Sequence, residues 1–227
     1  MWNCIKNIIR SKNKTTSKPI PSHTVDELKN VVRILFVDDK SVLKAKQLKE
    51  QDHWKNVIKI KDVNSLSQTE VKDAHIIFVD IQGVGKSMGF SDEGLGLIVA
   101  LKKQYPDKKV VMYSAESQGQ VDAFHEAANI VDGRLRKGAD LYEFSSTAER
   151  LAQEAFCFDN CVKHIKDVLH YELNVDMSED DIKKVVIHIN DNNLFENETS
   201  IAQAFNLSNV GSVASIVQLL LMPITPL

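Results

Sequence analysis

From Val31 onward the chain alternates short apolar runs with stretches of helical periodicity, and that alternation leaves few folds open. The runs read as strands cover residues 31–37, 57–61, 75–79, 109–113 and 133–136. The second, Val-Ile-Lys-Ile-Lys, alternates apolar with charged residues and reads as an edge strand. Between the runs, Leu97, Ile98, Leu101 and Tyr105 share one helical face, and Val121, Phe124 and Ala128 share another. Each face suits a helix that covers a sheet. Such alternation points to βα units and a parallel sheet. Five strands and five helices are expected, ending near residue 145.

Beyond that point the pattern is helical. Ala148, Leu151, Ala155, Phe158, Val162, Ile165 and Leu169 recur at spacings of three and four, which predicts one helix with a coiled-coil-like seam and a possible homodimer contact. Both Asp-Leu-Tyr-Glu at 140–143 and Ser-Thr-Ala-Glu at 146–149 offer it a start. Two more helices are expected, one capped by Ser178 and one over 212–224. At the front, 1–30 reads as a basic tail or linker, in which Trp2, Ile5, Ile8 and Ile9 have near-helical spacing. The division is therefore 1–30, 31–145 and an all-helical 146–227.

Charge and cysteine content narrow the function. Residues 145–227 carry five Lys/Arg against twelve Asp/Glu, which argues against a DNA-binding output region there, because phosphate contacts need cations. Three cysteines, Cys4, Cys157 and Cys161, do not make a secreted disulfide framework, and the first residues do not resemble an export signal. A reducing, cytoplasmic setting is expected. The apolar stretch 212–224 is shorter than the ~18 residues of a membrane span, so no transmembrane segment is expected.

The apolar runs end in chemically active residues: Asp38 and Asp39 after the first, Asp80 after the third, Ser114 after the fourth and Lys137 after the fifth. Two adjacent carboxylates at the end of an apolar run repel each other unless a cation intervenes. In an open parallel sheet such ends converge on the ligand-binding rim. Through Ile-Leu-Phe-Val-Asp-Asp, Ile-Ile-Phe-Val-Asp-Ile, Val-Val-Met-Tyr-Ser-Ala and Arg-Leu-Arg-Lys-Gly-Ala, in that order, residues 31–145 resemble the receiver domain of two-component response regulators. The resemblance implies a flavodoxin-like, doubly wound five-stranded parallel sheet. It makes Asp80 the phosphoryl acceptor, with Ser114 and Lys137 assisting, and Asp38, Asp39, Asp80 and the Gln82 carbonyl the ligands of Mg²⁺. It implies a sensor histidine kinase or phosphotransfer protein as donor, a protein effector, and no substrate turnover. A pseudo-receiver used as a fixed interaction module, or a phosphate sink, are the alternatives.

The sequence departs from the family at three places. Gly138 stands where a proline usually follows the lysine, and Arg134 where an aromatic residue usually precedes it. The loop Gln-Gly-Val-Gly-Lys-Ser-Met-Gly-Phe-Ser-Asp-Glu-Gly after Ile81 is lengthened and glycine-rich, and is expected to be mobile. Its Gly-Lys-Ser is not a P-loop, because Asp80 occupies the position of the first required glycine. Lys86 is read as a solvated loop lysine. Cys157, Cys161 and His164 share one helical stripe but match no common zinc spacing, and His164 and His170 are expected to be solvated helix residues.

Overall fold

The computed structural model describes residues 17–40, 42–115 and 125–221. The expected N-terminal helical spacing at Trp2–Ile9, and Val121 and Phe124 of the second helical face, lie outside the described residues. So do 222–224 of the last apolar stretch.

The sheet has five parallel strands, β1 (Arg33–Val37), β2 (Asn56–Ile60), β3 (Ile76–Asp80), β4 (Lys109–Ser114) and β5 (Gly133–Arg136), in the order β2-β1-β3-β4-β5. β2 is an edge, as its alternation implied. Helix α1 (Val25–Val31) precedes the sheet; α2 (Leu43–Glu50), α3 (Thr69–Asp73), α4 (Gly94–Gln104), α5 (Glu126–Ile130) and α6 (Leu141–Ala155) follow successive strands. Strand parity sorts the core into two layers. Ile34, Phe36, Ile76, Phe78, Val111 and Tyr113 face α1, α2 and α6. Leu35, Val37, Ile77, Val79, Val110 and Met112 face α3, α4 and α5. On the first face the Phe36 and Phe78 rings stack at 4.5 Å, and Phe144 of α6 stacks on Phe78 at 5.8 Å. Burying each such side chain favours folding by about 1.5–3 kcal/mol.

Three sequence expectations change. Residues 25–30, assigned to the tail, and Val31, assigned to the first strand, form one helix because Thr24 and Glu27 make a reciprocal capping box, and Leu28 fills the core. The first strand accordingly starts at Arg33. Second, of the two starts the sequence offered it is the earlier that is used: Asp140 caps α6, its carboxylate accepting the Glu143 amide at 2.9 Å, so the helix crosses the expected boundary at residue 145 and packs Phe144, Ala148, Leu151 and Ala152 on the sheet. Third, the single helix over 148–169 is two: α6 stops at Ala155 and α7 (Phe158–Tyr171) starts after Cys157. No glycine or proline marks the break. Phe156 turns into the sheet's core while Phe158 joins the next cluster, and Asn160 Nδ2 donates to the Ala155 carbonyl at 3.1 Å. The apolar spacing runs on through both helices and hides the change of direction.

The remaining helices α8 (Glu179–Asp191), α9 (Glu198–Phe205) and α10 (Gly211–Leu221) enclose a separate core with α7. Ser178 caps α8 as its sequence foretold, accepting from the Asp181 amide. Among the described residues no helix is long and apolar enough to cross a membrane.

Candidate functional site

β1 and β3 are neighbours with Val37 opposite Val79, so the acids that follow emerge side by side at the carboxyl ends of the strands. One oxygen each from Asp38, Asp39 and Asp80 lies within 4.8 Å of the others. Asp38 and Asp80 are buried and Asp39 is exposed. Ser114 ends β4 and is also buried. Its carbonyl accepts the Lys137 amide at 2.7 Å, which draws the end of β5 to the same rim. Lys137 Nζ reaches Asp38 Oδ2 at 2.8 Å and Asp80 Oδ2 at 2.5 Å. Gln82 follows in the next loop, its amide donating to Asp80 Oδ1 at 3.3 Å. All the sequence-predicted site residues therefore lie at one end of the sheet.

The two buried acids are held differently. Burial works to raise the Asp38 carboxyl, but bonds from Lys137, the Tyr113 hydroxyl and the Lys40 amide bring it below its ordinary value. Asp80 is raised: its burial outweighs what Lys137 and the Gln82 amide offer, and the nearby Asp38 charge adds to the rise. Burial opposes the charge on Lys137, yet its bonds to both acids hold its pKa above the ordinary lysine value. Three converging carboxylates, two of them paired with one ammonium, suit a hard divalent cation, which takes oxygen ligands and keeps several waters. Among the described residues no other group of three or more Cys, His, Asp or Glu side chains converges this way.

Sequence reasoning missed Tyr113. Its phenol, buried between the strands and α6, donates to Asp38 Oδ2 at 2.8 Å, and Lys137 Nζ lies 5.5 Å from its ring centre. Strand alternation carried the signal, since Tyr113 must face away from Ser114 and toward the layer of Phe36.

The lengthened loop is tied down despite its glycines. Asp62 accepts the Gly85 amide at 2.5 Å and the Ser87 amide at 2.9 Å. Glu93 accepts the Gly83 amide at 2.5 Å and pairs with Lys86 at 2.9 Å, so Lys86 is not simply solvated. Gly83, at φ +82°, lies so close to Asp39 that a Cβ would stand 2.6 Å from its carboxylate. A Cβ on Gly94 would stand 1.9 Å from the Asp80 carbonyl. Glycine is required at both.

The two departures beside Lys137 also have structural readings. Arg134 donates to the Ala128 carbonyl and so ties β5 to α5. A Cβ at Gly138 would meet nothing within 4 Å, so crowding does not demand glycine there. Cys157, Cys161 and His164 form no metal group. Cys161 is buried, with a thiol that burial pushes up to about 12, and His164 is a partly buried partner of Asp107 at 3.3 Å rather than a solvated residue.

No family model and no curated relative matches the chain. Similar solved structures include the receiver domain of NtrX from Brucella abortus, 27% identical over 53% of this chain and 98% of that one, with a TM-score of 0.43. Another is a signal receiver domain of an HD domain-containing protein from Pseudomonas fluorescens Pf-5, 15% identical over 61% and 95%, TM-score 0.46. A third is the response regulator TrrA from Thermotoga maritima in complex with Mg²⁺-BeF, 18% identical over 53% and 98%, TM-score 0.42. The strand order of this chain is itself diagnostic, because β2-β1-β3-β4-β5 with helices on both faces is the flavodoxin-like winding whose ligands sit at the β1/β3 switch point. The fold is flavodoxin-like, the winding that receiver domains share. Its acids occupy that switch point.

Proposed function

We propose that the protein is a two-component or phosphorelay response regulator whose Asp80 accepts a phosphoryl group. The observation that carries this reading is the meeting of Asp38, Asp39 and Asp80 with the Lys137 ammonium at one rim. A carboxylate oxygen of Asp80 attacks phosphorus, the bond from phosphorus to the donor breaks, and the donor leaves with that electron pair. The product is an acyl phosphate on Asp80. Lys137 is placed to follow the negative charge from the carboxylate to the phosphoryl oxygens, and the Ser114 hydroxyl to donate to one of them. Asp38, Asp39, Asp80 and the Gln82 carbonyl would hold Mg²⁺, which neutralises charge on those oxygens when bound. Tyr113 and the Lys40 amide keep Asp38 oriented for that role.

In this reading the donor is a histidine kinase, a phosphotransfer protein or a small acyl phosphate inside the cell. The chemistry ends in self-modification rather than turnover. The signal passes through protein contacts of the helical region, taken as 146–227, whose acidic surface disfavours nucleic acid. Incubation with Mg²⁺ and acetyl phosphate, followed by intact mass, should show one phosphoryl adduct on the wild type and none on Asp80→Asn. No adduct on either would favour a pseudo-receiver, a reading to which Arg134 and Gly138 lend support. Uptake by both would exclude Asp80 as the acceptor.

A further inference from the structure

We propose that Lys86 is a second cation for the phosphoryl group at Asp80, held in reserve by Glu93 until that group arrives. The inference rests on the reading of Asp80 as acceptor.

The lengthened loop links Lys86 to the acid rim through Glu93 and Gly83. Gly83 packs directly on the Asp39 carboxylate, Glu93 accepts the Gly83 amide, and Lys86 Nζ pairs with the other oxygen of Glu93 at 2.9 Å. Its bond to Glu93 raises the Lys86 pKa first, and the charges of Asp39, the exposed acid of the rim, and of Asp62 add to the rise. The two partners differ in freedom. Lys86 is 60% exposed on a flexible stem and can change partner by rotation alone. Glu93 sits at φ +53° and ψ −126°, an unfavourable conformation for a residue with a Cβ. Such strain persists only where surrounding contacts over-determine it, and the Gly83 amide holds Glu93 independently of Lys86. Asp62 fixes the intervening turn through the Gly85 and Ser87 amides. Glu93 is thus a fixed cradle and Lys86 a movable charge.

A phosphoryl group on Asp80 adds a charge of about −1.5 to −2 beside Asp39. That outcompetes the single carboxylate of Glu93 for the ammonium, and no new covalent step is involved. Lys86 then acts on the phosphoryl oxygens as an electrostatic group in addition to Lys137.

The two members of the pair should affect uptake in opposite directions. With acetyl phosphate and Mg²⁺, Lys86→Gln should take up phosphoryl about fivefold more slowly than wild type, as for loss of one exposed charge contact. Lys86→Arg should restore most of the rate. Glu93→Gln keeps an acceptor for the Gly83 amide but releases the lysine, and should react faster. The salt dependence of the rate should flatten in Lys86→Gln. Thermal unfolding of each variant reports whether the loop merely loosened. Unchanged rates, or a fall in both Lys86→Gln and Glu93→Gln, would overturn the proposal and make the pair a structural strut. A wild type that takes up no phosphoryl would instead defeat the reading of Asp80, and this inference with it.

Discussion

The behaviour of Asp38 depends on Tyr113 and Lys40 as well as on Lys137. Its carboxylate, 1% exposed, accepts from the Tyr113 phenol, the Lys40 amide and Lys137. Hydrogen bonds to a charged group are worth about 1.5–3 kcal/mol, and the buried geometry leaves little screening. Tyr113→Phe keeps the ring between Phe36 and Phe144 and deletes only the hydroxyl, so a loss of about 2 kcal/mol at neutral pH is expected from urea unfolding. The pH dependence follows from the direction of the Asp38 shift. Its folded pKa lies below the unfolded one, so its ionised form contributes stability above the ordinary carboxylate value near 4, and this is lost as pH falls through the folded pKa. The gap between wild type and Tyr113→Phe should therefore be widest near pH 7 and narrow below about pH 4. A gap that does not change with pH would mean the hydroxyl contributes packing and not charge stabilisation.

At the scale of elements, His75 just before β3 shows how a strand entry is fixed. Its Nδ1 accepts the Arg33 amide at 3.0 Å, which requires the neutral ring, and Phe156 packs edge-on at 5.1 Å. Burial first, then the positive charges of Lys108, His164 and Arg33, lower its pKa to about 3. A depressed folded pKa means that the unfolded chain takes the proton first. Stability from neutral His75 is thus full above about pH 6.5 and declines as pH falls toward 3, by at most about 1.4 kcal/mol per unit. His75→Asn keeps an acceptor near the Arg33 amide and cannot charge, so the slope of unfolding free energy between pH 6.5 and 5 should flatten. An unchanged slope would assign the acid sensitivity elsewhere. The same elements show what was legible. β1, β3 and β4 stood out because apolar runs bounded by polar residues have no other stable use, and the chemistry at their ends named the rim. The end of α6 did not, because Ala155 and Phe158 keep the apolar spacing across a break that only Phe156, packing into a different core, dictates. Tyr113 and Glu93 were hidden for another reason: each acts through a partner distant in sequence, Asp38 for one and the Gly83 amide for the other.

On the scale of the whole molecule, the acids and the helical bundle occupy opposite ends of the sheet. Bundle residues His164, Glu172 and Ser215 meet Arg33 and His75, at the amino ends of β1 and β3, across a cleft of about 740 Å³. The His164 ring pairs with Asp107 just before β4. The chain also joins the two cores twice. After α6 it enters the bundle through Cys157. Before α1, Lys18 donates its amide to Asp191 at 2.7 Å, Asn190 donates to the Lys18 carbonyl at 3.2 Å, and Ile20 packs into the bundle core. A five-residue strand such as β3 spans about 16 Å, so no bundle residue near the strand entries touches the acid rim directly. Loosening the far contact should then leave the chemistry alone. In the Asp107→Ala/His164→Ala double variant, uptake of phosphoryl from acetyl phosphate is expected to stay within twofold of wild type. Hydrogen exchange should nevertheless rise around His164 in α7, where a contact worth no more than about 1 kcal/mol is lost. A severalfold change in uptake would show that the two ends communicate through the strands. The phosphoryl signal would then have a route to the bundle along β3 and β4 rather than over the outer helices.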